Sequence, residues 1–556
     1  MRQISFKSES GVILPIVIIL MLALIITGIA FLNAGVMENR LAKREVYKNQ
    51  AFYLAEGGLD RTLWNLKQDF VSGSEEWTGW TGNDINGVPV CKPLDGTWGR
   101  LVYGDYDFDP TSCDPDMLDP ILYKIILADG SYEVKLEFVD EDELWVISTG
   151  IVNDISRTVR IRVKAVNISV WNNAIFAKKS AIGGNVIEGN ARVYGSVLIL
   201  GQEDAVSPVM DMSGTTGIRN NYEDIPDDLR IKLPPIVKIV NGDEIETLDA
   251  MFRVVEGYVS LQGDATVGED IPNGSIKRTM DEVHVDGGFQ GSGGIDNVYT
   301  DNEDPHSSCD IDVSFPSLLD PLIDEETGNV LEIHYLDYLT NVNNWNSLHV
   351  TMGPDLNQIP ETGITSEFDR NISDEKGSIK WSWNEVDKKI ELEIGGIVWI
   401  DTDLLHIGGK LTPIEYTGRG VIVVADYDNG DTKIKGEIQV HGDLLAKGVY
   451  NPSPDFPIEL QDGFPINNAL GLVTGTLSLA HPGEAQLMMT GAFFAENQIY
   501  SRYQNEIAGT FVTGHFDIGS QVPRIYQVPK LAIYVPEGMP GAPPNWVLMI
   551  SEWSES

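Results

Sequence analysis

At 556 residues the chain is several times the size of one ordinary domain, long enough for two or three folded units with a substantial core. It carries 83 acidic against 39 basic residues, a formal charge of −44, and a surface of that sign repels phosphate backbones and argues against nucleic acid as a partner. Such charge keeps a large protein soluble outside the cytoplasm, where acidic loops can also hold Ca²⁺. Three cysteines, Cys91, Cys113 and Cys309, are too few for a disulfide scaffold and lack zinc-site spacing.

The first ten residues, MRQISFKSES, are polar and weakly basic through Arg2 and Lys7. GVILPIVIILMLALIITGIAFLNAGVM follows, with no charged side chain between Glu9 and Glu38. At ~1.5 Å per residue this run crosses the hydrocarbon layer as a helix. A secretory signal would have an apolar run of about 7–15 residues and a small-residue cleavage site. Here the run is longer and Asn33-Ala34-Gly35 is a poor site, so a retained membrane helix is expected. Beyond it, Phe52, Ala55, Leu59, Leu63, Leu66 and Phe70 recur at steps of three and four, the pattern of an amphipathic helix. The two segments predict one rod about 90 Å long, with Gly57-Gly58 as the place for a kink.

The run Ser10-Gly11-Val12-Ile13-Leu14-Pro15-Ile16, the long apolar helix, then Met37-Glu38-Asn39-Arg40 and Ala51-Phe52-Tyr53-Leu54-Ala55-Glu56-Gly57-Gly58-Leu59 together resemble the N-terminal segment of PilX-type minor pilins, in the type IV pilin superfamily. The resemblance covers about residues 8–66. It implies that prepilin peptidase cuts after Gly11 on the cytoplasmic side and methylates the Val12 amine. The helix is then retained, first as a single inner-membrane span and later packed against other pilins or pseudopilins. The filament would be a type IV pilus or a type II secretion-like assembly. Major pilins of the family carry Glu at the fifth mature position, to neutralise a neighbouring subunit's amine; this chain has Ile16. That departure resembles tip-type subunits. Arg40, Lys43, Arg44 and Lys48 follow the span closely, and the positive-inside rule alone would put them in the cytoplasm. The resemblance and the acidic, cysteine-poor body point the other way, and we follow them.

Residues 71–130 are rich in Trp, Gly, Asp and Pro and read as turns and short strands. From Ser131 to Val166 the sequence alternates in three strand-length runs, an antiparallel meander completing a small β-rich module over 71–166. Beyond Asn167 the texture changes. Segments 181–202, 395–411, 418–448, 469–479, 488–501 and 507–519 set short β-branched runs between Gly, Asn or Asp turns. Serial repetition of this kind predicts the stacked rungs of a right-handed parallel β-helix or similar solenoid, with a β-sandwich as the alternative. Pro- and Asp-rich stretches around 203–256 and 300–390 read as excursions or a small inserted domain, and 522–546 as an extended cap. The body also resembles the glycine-rich regions attached to PilX-type leaders. The fold class expected is α+β: leader 1–11, membrane and amphipathic helix 12–70, module 71–166, and a mainly-β, solenoid-like body 167–556.

Chemistry is sparse. The eight histidines show no tight ligand spacing, and His406 and His441 read as rung-lining or surface residues. No Gly-x-Ser-x-Gly or P-loop stands out, and carboxylates are too common for a pair to signal a glycosidase. Asp426, Asp428 and Asp431, with Glu437 eleven residues after the first, resemble a Ca²⁺ loop, yet the fifth position is Gly430 and the flanks read as strands. The segment therefore reads as a β-turn, with Ca²⁺ as the alternative and no other cofactor expected; Asp105, Asp107 and Asp109 are a similar candidate. Cys91 and Cys113 fall in one loop-rich segment and are expected to pair in an oxidising compartment. The function expected is structural: a minor pilin or pseudopilin displaying its acidic β body at or near the tip, for adhesion to a surface. The alternatives are a membrane-tethered β-helix carbohydrate-active enzyme, disfavoured by the scarcity of Lys and Arg, and an adhesin unrelated to pili.

Overall fold

The structure, a computed structural model, describes residues 13–72 and 121–555, apart from internal stretches of which the longer are 179–183, 307–312, 324–329, 341–346, 352–357, 360–368, 428–432, 451–462 and 480–486. The chain divides into two compact units: residues 1–166 with 547–556, and residues 167–546. It is a long apolar helix followed by a large, mostly parallel β body.

In the first unit, helix α1 runs unbroken over Ile13–Ser72. Four strands follow, β1 (Ile121–Leu127), β2 (Gly130–Asp140), β3 (Glu143–Val152) and β4 (Ile155–Asn167), in one antiparallel sheet in chain order. The terminal strand Trp546–Glu555 joins that sheet beside β4. The alternation read from Ser131 to Val166 is realised as cross-strand rows Val134–Ser148–Val159 and Leu136–Val146–Ile161. The second half of α1 lies against this face through one stripe of side chains, small at Ala51, Ala55, Gly58 and Thr62. Ala51, Ala55, Leu59, Thr62 and Leu66 are buried, while Leu63 and Phe52 are only half-buried. Gly58 is a contact point within an uninterrupted helix: a Cβ there would sit 2.3 Å from Ser148 Oγ. Gly150 of β3 serves the same approach, since its Cβ would meet the Ala51 carbonyl at 1.9 Å.

The second unit is a parallel β-helix with three faces. Inward ladders run in register along each face. One is Ile390–Ile414–Leu444–Met489–Ile507–Ile525–Val193–Ile218–Val267, with every member at most 1% exposed. Each step places like side chains one strand spacing apart, so burial is continuous along the axis. Corners need left-handed backbone, and glycine supplies it. Gly189, Gly214 and Gly263 form a column at one corner with φ of 76°, 87° and 69°. A Cβ on Gly214 would lie 2.4 Å from the Gly189 carbonyl of the adjacent rung.

The order of the rungs is not the order of the chain. Residues 175–300 wind from the middle of the stack to one end, and residues 348–526 wind from the other end back to the middle. There the last rung stacks on the first: Phe511 pairs with Ile175, Ile518 with Ile187 and Ile525 with Val193. Within residues 203–256, expected as an excursion, lie the rung strands Met210–Gly214, Gly217–Arg219 and Met251–Glu256.

Residues 301–347 connect the two ends. On the way Phe315 packs on Phe494 and Phe176, with ring centroids 5.7 and 6.3 Å away. Glu496 accepts hydrogen bonds from the Ser317 hydroxyl (2.7 Å) and the Leu318 amide (2.9 Å). Leu318, Leu336 and Leu339 are fully buried. This segment explains a feature of the sequence. On the face it crosses, the outward row Val423–Val473–Phe494–Val512–Phe176–Leu198 is as buried as the inward one, so the strands read as continuous apolar runs.

Both ends of the stack are protected against open pairing. The antiparallel hairpin Asp369–Ser373 and Gly377–Asn384 covers the strand Lys389–Asp401. At the other end the Asn302 amide imitates a missing strand, accepting from the Val283 amide and donating to its carbonyl, both at 2.9 Å.

Candidate functional site

The surface that stands apart chemically is the first part of α1. Its apolar stretch is long and apolar enough to cross a membrane, and none of it is buried. Ile16, Leu20, Leu24, Phe31 and Leu32 are more than half exposed. Exposed apolar area of that extent in water is costly, at roughly 25 cal/mol per Å². It calls for lipid or for other apolar helices around it. Charge resumes only at Glu38, and Lys48 pairs with Glu45 at 2.7 Å near the point where the helix meets its sheet. The processing residues Gly11 and Val12 lie outside the described residues.

The remaining sequence-derived candidates are only partly described. Asp426 sits in a short antiparallel pair, Asp426–Tyr427 with Ile434–Lys435, and its carboxylate faces Lys435 Nζ at 3.7 Å. Glu437 starts the next rung strand and accepts from Gln439 at 2.6 Å. The expected turn is therefore framed by strands, while Asp428 and Asp431 lie outside the described residues. So do Cys91, Cys113, Cys309, Asp105, Asp107 and Asp109. Among the described residues no three His, Cys, Asp or Glu side chains converge as metal ligands.

Sequence reading missed the group that clasps the seam between last and first rungs. Arg192 and Arg524 occupy paired positions there, two like charges one strand apart. Asp224, held at a φ of 72°, takes Arg192 on its carboxylate at 2.5 Å and Arg524 on its carbonyl at 3.0 Å. Tyr194 and Tyr526 stack beside them with centroids 4.7 Å apart, and the Tyr526 hydroxyl donates to Glu506 at 2.9 Å. Burial pushes the Glu506 carboxyl above its ordinary range, opposed by that hydrogen bond and by Arg524. Residues 332 positions apart in sequence make up this clasp, and no local spacing announces it (524 − 192).

The fold and this surface define a class: a long helix, apolar and bare in its first part and packed on a small sheet in its second, in a chain whose other unit is a parallel β-helix. No protein-family model matches the chain, and no curated protein sequence does. Among solved structures it is similar to the crystal structure of competence-associated pilin ComZ from Thermus thermophilus, at a TM-score of 0.49 and 16% identity, the match covering 92% of this chain and 97% of that one.

Proposed function

We propose that the chain is a structural subunit of the pilin kind, a minor pilin or pseudopilin, without catalytic activity. One observation carries the reading: in a single helix, the part from Ala51 onward buries one face on its own sheet, while the part before Glu38 presents bare apolar side chains. Such a helix suits storage in the inner membrane and transfer to a bundle of like helices, because it exchanges one apolar surrounding for another. The β body then stands outside the membrane and is displayed on the filament, where it serves for contact with surfaces. Ile16 favours the tip. A buried ammonium without an opposing carboxylate costs several kcal/mol, and Ile16 supplies no carboxylate at the fifth mature position.

Processing is the direct test. Mass spectrometry of the membrane-extracted protein should find a chain starting at methylated Val12 with the apolar helix retained. An intact Met1, or a start beyond Ala34, would sink the assignment. Immunogold labelling of sheared filaments should mark their ends, and regular decoration of the shaft would show the tip placement to be wrong.

A further inference from the structure

On the second unit, His406 and His441 come together on adjacent rungs. His406 Nδ1 and His441 Nε2 are 2.9 Å apart, with ring centroids at 5.0 Å and planes inclined by 45°. Their positions are set by the backbone. The strands Leu404–Ile407 and Glu437–Val440 run parallel, with Leu405 opposite Ile438 and Ile407 opposite Val440, all four fully buried. The His441 amide donates to the Ile407 carbonyl at 2.9 Å, and the next residue must be glycine, since a Cβ on Gly442 would lie 2.4 Å from the Gly409 carbonyl. His441 is 2% exposed and His406 half-buried, so the pair opens to solvent on one side only.

We propose that these two imidazoles form a binding site for a divalent transition metal: the hydrogen bond between them breaks, its proton moves to the other ring nitrogen of the donating imidazole, and both facing nitrogens are left with lone pairs for the metal. Two nitrogens bound tetrahedrally at 2.0–2.1 Å stand about 3.3 Å apart, so the pair needs to open by only about 0.4 Å. Imidazole suits Cu²⁺, Ni²⁺ and Zn²⁺, and Cu²⁺ binds tightest of the series. Among the described residues no third His, Cys, Asp or Glu joins the pair, so the other coordination positions fall to water or to a group brought by a partner. The site is independent of the filament reading.

The test is Cu²⁺ titration of the purified full chain in detergent, followed by electron paramagnetic resonance. The wild type should take up one equivalent of copper coupled to two imidazole nitrogens. His406→Ala should lose that equivalent, with affinity reduced at least tenfold. Because His406 is half-buried and its strand is anchored by Leu405 and Ile407, this variant should fold; His406→Gln is the alternative closer in size, and circular dichroism checks both. Equal copper binding by wild type and variant, coupling to a single nitrogen, or no bound copper would each overturn the proposal.

Discussion

Single side chains set how the body responds to acid. Glu282, on a terminal rung, accepts from His284 and pairs with Arg253 at 3.0 Å. The hydrogen bond from His284, helped by Arg253 and opposed by burial, lowers its carboxyl from 4.5 to about 2. A carboxylate depressed in the folded state contributes stability that is fully present above its unfolded value and is lost as pH falls through the folded one. Glu282 should therefore weaken the fold between about pH 4.5 and pH 2. Asp443 and Glu506 act in the opposite sense. Burial raises both, so each costs stability once pH passes its unfolded value. Melting temperatures of the wild type and Glu282→Gln, measured from pH 6 downward, should differ most at pH 6 and converge in acid. A constant gap across the series would exclude the linkage.

At the level of elements, the sequence tells much about each rung and little about its neighbours. The apolar run from Gly11 to Met37 predicts its helix because nothing else in water or lipid satisfies so long an uncharged stretch. Glycine-punctuated β-branched runs predict rungs because the corners demand positive φ and the interior demands stacked aliphatics. Stacking order is another matter. Ile525 meets Val193 with the same aliphatic chemistry that joins it to Ile507 on its other side, so no residue type reports that the last rung lies on the first. The His406–His441 pair was hidden for a related reason: sequence separation around a rung depends on the length of its loops, while the pair depends only on which rungs are adjacent. The connecting segment is not legible in the sequence: GAFFAE and GTFVTG read as ordinary rungs, although their unbroken apolar runs fit the burial on both faces that the structure shows. That segment should be a structural strap. Phe315→Ala removes a buried ring lodged between Phe176 and Phe494 and should cost about 3–5 kcal/mol. Glu496→Ala strands the Ser317 hydroxyl and the Leu318 amide, at about 1–3 kcal/mol for each buried group left unpaired. Denaturant unfolding of the two variants measures both, and unaltered midpoints would reduce the segment to a passive linker.

Over the whole molecule, the permuted stacking makes the β body begin and end at one place. The segment that starts the second unit touches the segment that leaves it: Trp171, fully buried, donates its indole N–H to the Pro540 carbonyl at 2.9 Å. A Cβ on Gly541 would fall 3.0 Å from Val170. On either side of the body, β4 and the strand Trp546–Glu555 belong to the same sheet of the first unit. The β-helix is thus spliced between two neighbouring strands of a small helix-and-sheet unit, with its own core, its own end caps and a seam closed by the Asp224 clasp. Among the described residues, none of its ladders draws on the chain before 167 or after 546. A fragment comprising residues 167–546 should then fold alone, soluble and monomeric, and melt at the same temperature as the body does in the full chain. Calorimetry of fragment and full chain in the same detergent buffer compares the two directly. The complementary deletion, with Asn167 joined to Trp546 by a short Gly-Ser linker, should keep its helix and its five-stranded sheet. A fragment that aggregates or melts many degrees lower would mean that the first unit holds the body together, and that the two fold only as one.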